Sequence, residues 1–274
     1  MQSSDPVLYS TAGGVATITL NKPDARNVLD AEVLPALQAA LDTARDDDNA
    51  RVVVLTGSGN SFCAGADLRG AAAEAEGSFA GSAPAALARA LTTMLELPKP
   101  VIGRVQGHVA GGGNGLVAAC DLAVAADSAM FAFSEVRVGV APAVISVVCL
   151  RRMRAADASE LMLTGERVTA ERAQAAGLVH KVVPADALDG AVGDYVDRLL
   201  LGGPLALAAT KELLRRVPPM SRDDAFEWTA QLSASLFASD EAREGMTAFV
   251  ERRPPVWAPP PDGADLVSDD SRHL

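Results

Sequence analysis

Val101-Ile102-Gly103-Arg104-Val105 is an apolar run that ends shortly before Gly111-Gly112-Gly113-Asn114-Gly115, and the chain then enters Leu116-Val117-Ala118-Ala119. The pattern reads as a buried strand, a glycine turn and a helix. A helix that starts this way leaves backbone N–H groups without partners at its N-terminus, where they can bind an anion or a developing negative charge. The same arrangement occurs upstream. Arg51-Val52-Val53-Val54-Leu55-Thr56 is followed by Gly57-Ser58-Gly59-Asn60 and then by Ser61-Phe62-Cys63-Ala64-Gly65-Ala66-Asp67-Leu68. Downstream, a short strand over 130–133 leads into Phe133-Ser134-Glu135. Two N–H groups aimed at one point form an oxyanion hole, and a carboxylate beside it allows proton transfer at a carbonyl compound.

Outward from these segments, strands alternate with helices. Val15-Ala16-Thr17-Ile18-Thr19-Leu20 alternates as a half-buried strand, with Gly13-Gly14 turning it back on a partner over 7–9. Asp30 caps a helix running to about residue 45, with Leu34, Leu37 and Leu41 on one face. The Ala/Gly/Ser/Glu-rich stretch 70–83 reads as a loop. Helix 84–97, strand 101–105, a helix from 113, and strands over 123–125 and 130–133 follow. This alternation predicts an α/β core. Beyond about 145 helices dominate, over 158–163, 170–176, 187–201, 205–216, from Ser221, and 240–252, with one further strand over 178–183. The expected organisation is a core over 1–185, a helical oligomerisation region over 186–253 and a disordered tail over 254–274, where Pro259-Pro260-Pro261 and many acids occur.

With 274 residues, 49% of them hydrophobic, the chain can bury a full core without staples. A net charge of −11 with no basic stripe excludes a nucleic-acid-binding role. Cys63, Cys120 and Cys149 are odd in number and sit in apolar runs, which points to reduced thiols in a cytoplasmic protein. The opening Met1-Gln2-Ser3-Ser4-Asp5-Pro6 lacks the pattern of a signal peptide, and no run is long enough for a membrane span. His108, His180 and His273 are far apart without acids or cysteines at ligand spacing, so no metal site is expected. Gly113-Asn114-Gly115-Leu116-Val117-Ala118 fits a loose dinucleotide pattern, but Asp121 and Asp127 lie too close to serve as its ribose-binding acid. No Gly-x-Ser-x-Gly elbow is present, so a hydrolase triad lacks its nucleophile.

Taken together, these segments resemble the crotonase family, the enoyl-CoA hydratase/isomerase superfamily. The resemblance covers nearly the whole chain, from Asn21-Lys22-Pro23-Asp24-Ala25-Arg26-Asn27 to Glu244-Gly245-Met246-Thr247-Ala248-Phe249-Val250-Glu251-Arg252-Arg253. It implies an α/β fold of the ClpP/crotonase-like kind, a spiral of ββα units with a C-terminal helical region that forms a homotrimer, and in many members a dimer of trimers. It implies an acyl-CoA thioester as ligand, with coenzyme A entering as part of the substrate and no metal or redox cofactor. The oxyanion donors it implies are the N–H groups of Ala66 and Gly112, with Glu135 as catalytic acid/base. The alternative for Glu135 is a surface pair with Arg137. Ala25, Arg26 and Ala64 match positions that contact pantetheine and adenine, Asp67 and Leu68 complete their turn, and Phe249 and Arg252 match residues that stack on adenine and pair with phosphate.

One position departs from the pattern. Hydratases of the best-known kind carry a first Glu where this chain has Gly115. A single base suffices to move a proton from C2 to C4, as an enoyl-CoA isomerase does. Similarity over 115–125 and 139–146 to hydratase branches that take branched or acidic acyl chains places hydration of a 2-enoyl-CoA first. Isomerisation by Glu135 alone is second, and an acyl-CoA-binding protein without catalysis is third. Asp67, Glu74 and Glu76 are the nearby acids from which a second carboxylate would have to come.

Overall fold

The computed structural model describes residues 5–66 and 82–259. β1 (Val7–Ala12) and β2 (Val15–Leu20) form an antiparallel hairpin, and α1 (Val33–Asp46) follows. The N-cap position of α1 is Glu32 rather than the expected Asp30, but Asp30 still serves the helix start, its Oδ1 accepting from the Val33 N–H at 2.8 Å. The chain then repeats one unit, strand–strand–helix. β3 (Val52–Gly57) and β4 (Ser61–Cys63) precede α2 (Ala83–Glu96). β5 (Val101–Val105) and β6 (His108–Ala110) precede α3 (Gly112–Ala119). β7 (Leu122–Ala126) and β8 (Met130–Ala132) precede a 3-10 turn at Ser134–Val138, then α4 (Ala143–Arg152) and α5 (Ala155–Thr164). β9 (Arg167–Thr169), α6 (Ala170–Ala175) and β10 (Lys181–Val183) close the core.

The first strand of each unit joins a six-stranded sheet in the order β1-β2-β3-β5-β7-β10, and the second joins a four-stranded sheet in the order β4-β6-β8-β9. Each repeat therefore steps sideways by one strand in both sheets, which is the expected spiral of ββα units. It also brings the ends of β4, β6 and β8 side by side. The short strands β4, β6 and β9 were not separable in the sequence, because three residues carry no period.

β3 is buried throughout, and apolar from Val52 to Leu55, because both of its faces are covered. Val53 and Leu55 face the main core, while Val52 and Val54 join Ile102 and Val124 under α7 (Leu188–Leu200). Leu188, Val192, Val196 and Leu200 of α7 complete that second core, at about 1.5–3 kcal/mol for each large side chain buried. Leu199 and Leu200, which in sequence count with the oligomerisation helices, thus pack on the sheet. α8 (Pro204–Arg216) is pinned to the core by Lys211, whose Nζ lies 2.7 Å from Asp121 Oδ2. The same ammonium donates to the carbonyls of Met94 at 2.8 Å and Lys99 at 3.2 Å. Burial pulls its pKa down and Asp121 opposes that pull.

α9 (Arg222–Phe237) and α10 (Asp240–Glu251) complete the described chain. Residues 254–259, expected to be disordered, dock instead: Arg51 donates to the carbonyls of Gly202 and Trp257, and the Trp257 ring N–H donates to Leu201. The rest of the expected tail and nearly all of the loop 70–83 lie outside the described residues.

Candidate functional site

The two glycine turns meet. Arg26 and Asn27 both take left-handed backbone conformations, with φ of 54° and 56°. The buried Asn27 amide holds that turn in place, donating to the carbonyls of Ser58 and Ser61 and accepting from the Lys22 N–H. Its neighbours then bind the first glycine turn. The Ala64 N–H donates to the Arg26 carbonyl at 2.9 Å, and the Leu29 N–H donates to the Gly65 carbonyl at 2.8 Å. Gly65 has φ of +87°, and a Cβ there would stand 2.7 Å from the Ala110 carbonyl oxygen. Only glycine permits this approach of backbone to backbone.

From the other side, the Gly111 N–H and the Asn114 amide both donate to the Ala132 carbonyl, at 3.2 and 2.7 Å. The triple-glycine turn is thereby tied to the end of β8, one residue before Phe133-Ser134-Glu135. The Gly112 N–H belongs to the first residue of α3, whose N-terminal donors have no acceptor within the helix. The Ala66 N–H has no backbone acceptor among the described residues. A Cβ on Gly112 would stand 3.9 Å from Gly65 Cα, so the two donor turns are in van der Waals reach of each other.

Glu135 stands beside them. Its Oε1 is 3.5 Å from the Cβ position of Gly111, and its Oε2 is buried with no hydrogen-bonding partner among the described residues. Burial raises the Glu135 pKa, partly opposed by a hydrogen bond from its own N–H. A partly desolvated carboxyl of this kind can hold or take a proton nearer neutral pH than a surface Glu. The alternative pairing with Arg137 is not what forms: the Arg137 Nε donates to the Thr164 carbonyl at 3.1 Å. Burial pushes the neighbouring Cys149 thiol up to about 12, and Glu135 adds to that shift, so Cys149 stays protonated.

Gly115 lies one turn further into α3, fully enclosed. A Cβ at this position would stand 2.5 Å from Ile145 Cγ2 and 3.6 Å from Leu91 Cδ1. Space for a longer side chain is therefore absent, and Ile145 fills it. The Gly112 Cβ position similarly meets Leu29 at 2.8 Å and Leu87 at 3.3 Å. These four aliphatic residues escaped the sequence reading, since an isolated Leu or Ile looks like any core residue. Asn114 was visible as the polar member of a glycine turn, but not its bond to β8.

Ala25 and Arg26 are exposed, and Arg26 is joined to Ala64 by the backbone bond given above. Asp67, Leu68, Glu74 and Glu76 lie outside the described residues. Phe249 on α10 is 86% exposed, and Arg252 just beyond that helix is exposed too. The ion pairs there belong to Arg253, which binds Glu244 at 2.6 Å and Glu251 at 2.7 Å. His180 is structural: its Nδ1 accepts from the Ala123 N–H, and burial, with Arg152 nearby, lowers its pKa to about 4. Among the described residues no cluster of three or more His, Cys, Asp or Glu could hold a metal, and no helix is long and apolar enough to cross a membrane.

The enoyl-CoA hydratase/isomerase family model matches residues 10–260. The chain is 36% identical over 259 residues to enoyl-CoA hydratase EchA19 of Mycobacterium tuberculosis, covering 93% of this chain and 97% of that protein. It is 36% identical over 260 residues to a carnitinyl-CoA dehydratase of Citrobacter koseri, covering 93% and 98%. A crystal structure of an enoyl-CoA hydratase from Mycobacterium smegmatis superimposes with a TM-score of 0.85 at 36% identity, covering 92% of this chain and 98% of the other. Two touching donor turns, a partly buried carboxyl beside them and a match over nearly its full length place this chain in the enoyl-CoA hydratase/isomerase family, a family of enzymes.

Proposed function

We propose that this enzyme adds water to a 2-enoyl-CoA thioester to give a 3-hydroxyacyl-CoA. The observation that carries the proposal is the placement of the partly buried Glu135 carboxyl beside Gly111, where the two donor turns meet. The thioester oxygen would take the N–H groups of Ala66 and Gly112, and losing one such donor typically costs two to three powers of ten in rate, roughly. With those donors holding the enolate, one carboxylate can complete the addition. Glu135 accepts a proton from water as the hydroxyl bonds to C3, then returns that proton to C2, so one water is added overall. The chemistry draws on no group besides the substrate, whose coenzyme A portion would lie along the rim of Ala25, Arg26 and Ala64. Phe249 and Arg252 are the proposed contacts for adenine and phosphate.

The enclosed Gly115 supports a second reading, Δ3/Δ2 isomerisation, in which Glu135 moves a proton between C2 and C4. Incubating 2-enoyl-, 3-enoyl- and methylglutaconyl-CoA in H₂¹⁸O separates the two by mass spectrometry. Hydration takes up ¹⁸O, whereas isomerisation only redistributes hydrogen. Absence of both ¹⁸O uptake and deuterium exchange at C2 would overturn both readings.

The exposed apolar residues of α8 to α10, with Leu214 at 74% and Phe237 at 70%, support assembly as a homotrimer, with a dimer of trimers as its extension. Three buried free thiols fit a reducing, cytoplasmic setting.

A further inference from the structure

The 3-10 turn that carries Glu135, Ser134–Val138, has no buried residue of its own. The Glu135 carboxyl is not held by any other side chain: its Oε2 has no partner among the described residues, and the backbone bond it does have is to its own N–H. Its place is therefore set by where the chain enters the turn. Two anchors fix that entry. Phe133 is 1% exposed and packs into the main core. Ala132, the last residue of β8, has a carbonyl that accepts from the Gly111 N–H at 3.2 Å and from the Asn114 amide at 2.7 Å.

The first of these bonds lies at the end of the β6–β8 ladder, in which Ala110 pairs with Ala132. The ladder goes no further, because Gly112 starts α3 and the backbone turns away. The second bond reaches back from that helix. Asn114 is the one polar side chain of α3, and it is 0% exposed. It joins the helix whose first N–H is the proposed oxyanion donor to the strand end that delivers the proposed base. A neutral amide suits this task. A carboxylate there would have no hydrogen to donate, and it would bring a second negative charge toward Glu135.

We propose that Asn114 is a positioning residue: its bond to Ala132 sets where the Glu135 carboxyl stands relative to the Gly112 N–H, and so governs proton transfer without touching the substrate. This rests on the reading of Gly112 as donor and Glu135 as acid/base, and goes further by giving a role to a residue outside both. A misplacement of about 1 Å in such a site can cost about 100-fold in rate. What Asn114 does for the fold is small by comparison. Its Oδ1 has no partner among the described residues, and Ala132 keeps the Gly111 N–H when the amide is removed, so no acceptor is stranded. Positioning and stability can therefore be measured apart.

Asn114→Leu is close in volume and has no donor. With crotonyl-CoA as substrate, kcat is expected to fall by about 10-fold or more. KM, and the calorimetric affinity for the saturated thioester butyryl-CoA, should stay within about twofold of wild type, with the urea midpoint not lowered. Asn114→Ala removes the same donor without adding methyl groups, and it carries the test if the Leu variant does not fold. A role confined to the fold would lower the urea midpoint and leave kcat per binding site, counted by calorimetry, at the wild-type value. That result overturns the inference. The decisive measure is a double-mutant cycle. If Asn114 acts through Glu135, its replacement should cost little once Glu135 is already changed to Gln, whereas an independent role costs the same factor in both backgrounds. Equal factors overturn the inference.

The hydration reading can fail separately. In D₂O, exchange at C2 of butyryl-CoA needs the donors and one base but adds no water. Glu135 takes the C2 proton, the N–H groups hold the enolate, and a deuteron returns to C2 after the carboxyl exchanges with solvent. If the wild type exchanges but does not hydrate, and the cycle on exchange rates is non-additive, the role of Asn114 stands while hydration fails. If the wild type neither exchanges nor turns over, Glu135 is not a base in this site and both fall.

Discussion

The ββα core and the last two helices are closed to different degrees. All six residues of β3 and all eight of α3 are buried. α9, with sixteen residues, has none buried, and its Phe226 and Phe237 are each 70% exposed. The core places its donors by backbone packed against backbone, with glycine at each contact, so its geometry needs no neighbour. The C-terminal helices carry apolar side chains that find no cover within one chain. The proposed chemistry thus sits among deeply buried elements, while α9 and α10 leave most of their surface exposed, as do Val138, Val140, Val147 and Leu150 of the core.

The largest expected effect tests the unfinished region. In light scattering the wild type should have a mass of three or six times 28.2 kDa. Phe226→Asp combined with Phe237→Asp should lower it to that of one chain. Each Phe stands to contribute about 1.5–3 kcal/mol by burial, and each Asp adds the cost of a desolvated charge. A wild-type monomer at micromolar concentration would show that the exposed helices are finished as they stand.

Next comes the finished region. Glu135→Gln preserves shape but cannot accept a proton, so kcat should fall by about two powers of ten or more with little change in KM. Gly112→Pro removes a donor and should lower both acyl-CoA affinity and turnover. Unchanged affinity and turnover in Gly112→Pro would place the thioester oxygen elsewhere. Neither variant should alter the mass in solution, because neither touches α8 to α10. A change in mass would mean that the two regions are coupled.

How far this division was legible in sequence depends on how its signals are written. Gly65, Gly111 to Gly113 and Glu135 were legible through their order and separation, since a single glycine turn after a strand is common. The spiral followed from the family resemblance and the alternation of elements. β6 and β9 did not, being too short to show a period. Ile145 was legible only as part of the similarity over 139–146; its 2.5 Å approach to the Cβ position of Gly115, thirty residues earlier in the chain, was not. The apolar patch Val138, Val140, Val147 and Leu150, each more than half exposed, was also missed. The sequence pattern assigns no element to its segment, which enters only through the similarity over 139–146, and α4 there is not foreseen. Exposure depends on what packs opposite, and that information is spread over the whole chain.

The joint between the two regions can be weakened separately. Lys211 on α8 reaches into the core to Asp121 and two carbonyls. Lys211→Met keeps most of the volume and leaves those acceptors unpaired, at an expected cost of about 1–3 kcal/mol in urea unfolding. Asp121 keeps its bond from the Val101 N–H at 2.7 Å, which holds the loss to that range. If stability were unchanged, α8 would be held by its apolar contacts alone.

The smallest effect concerns what the Glu135 carboxyl, the proposed acid/base, does to the fold. Burial holds the Glu135 pKa above its ordinary value, so the folded protein favours the protonated form more than the unfolded chain does. Its contribution to stability is therefore fully present below the unfolded value of about 4.3, and is lost as pH rises through the raised folded value. Gln has no charge to desolvate and loses nothing across that window. The stability difference between Glu135→Gln and wild type should be near zero at about pH 4 and should grow in favour of the variant as pH rises, levelling off above the folded value. Urea titrations at a series of pH values read this directly. At neutral pH the catalytically impaired variant should be the more stable protein. A variant less stable at neutral pH than at pH 4, relative to wild type, would mean that the carboxylate gains a partner the described residues do not supply.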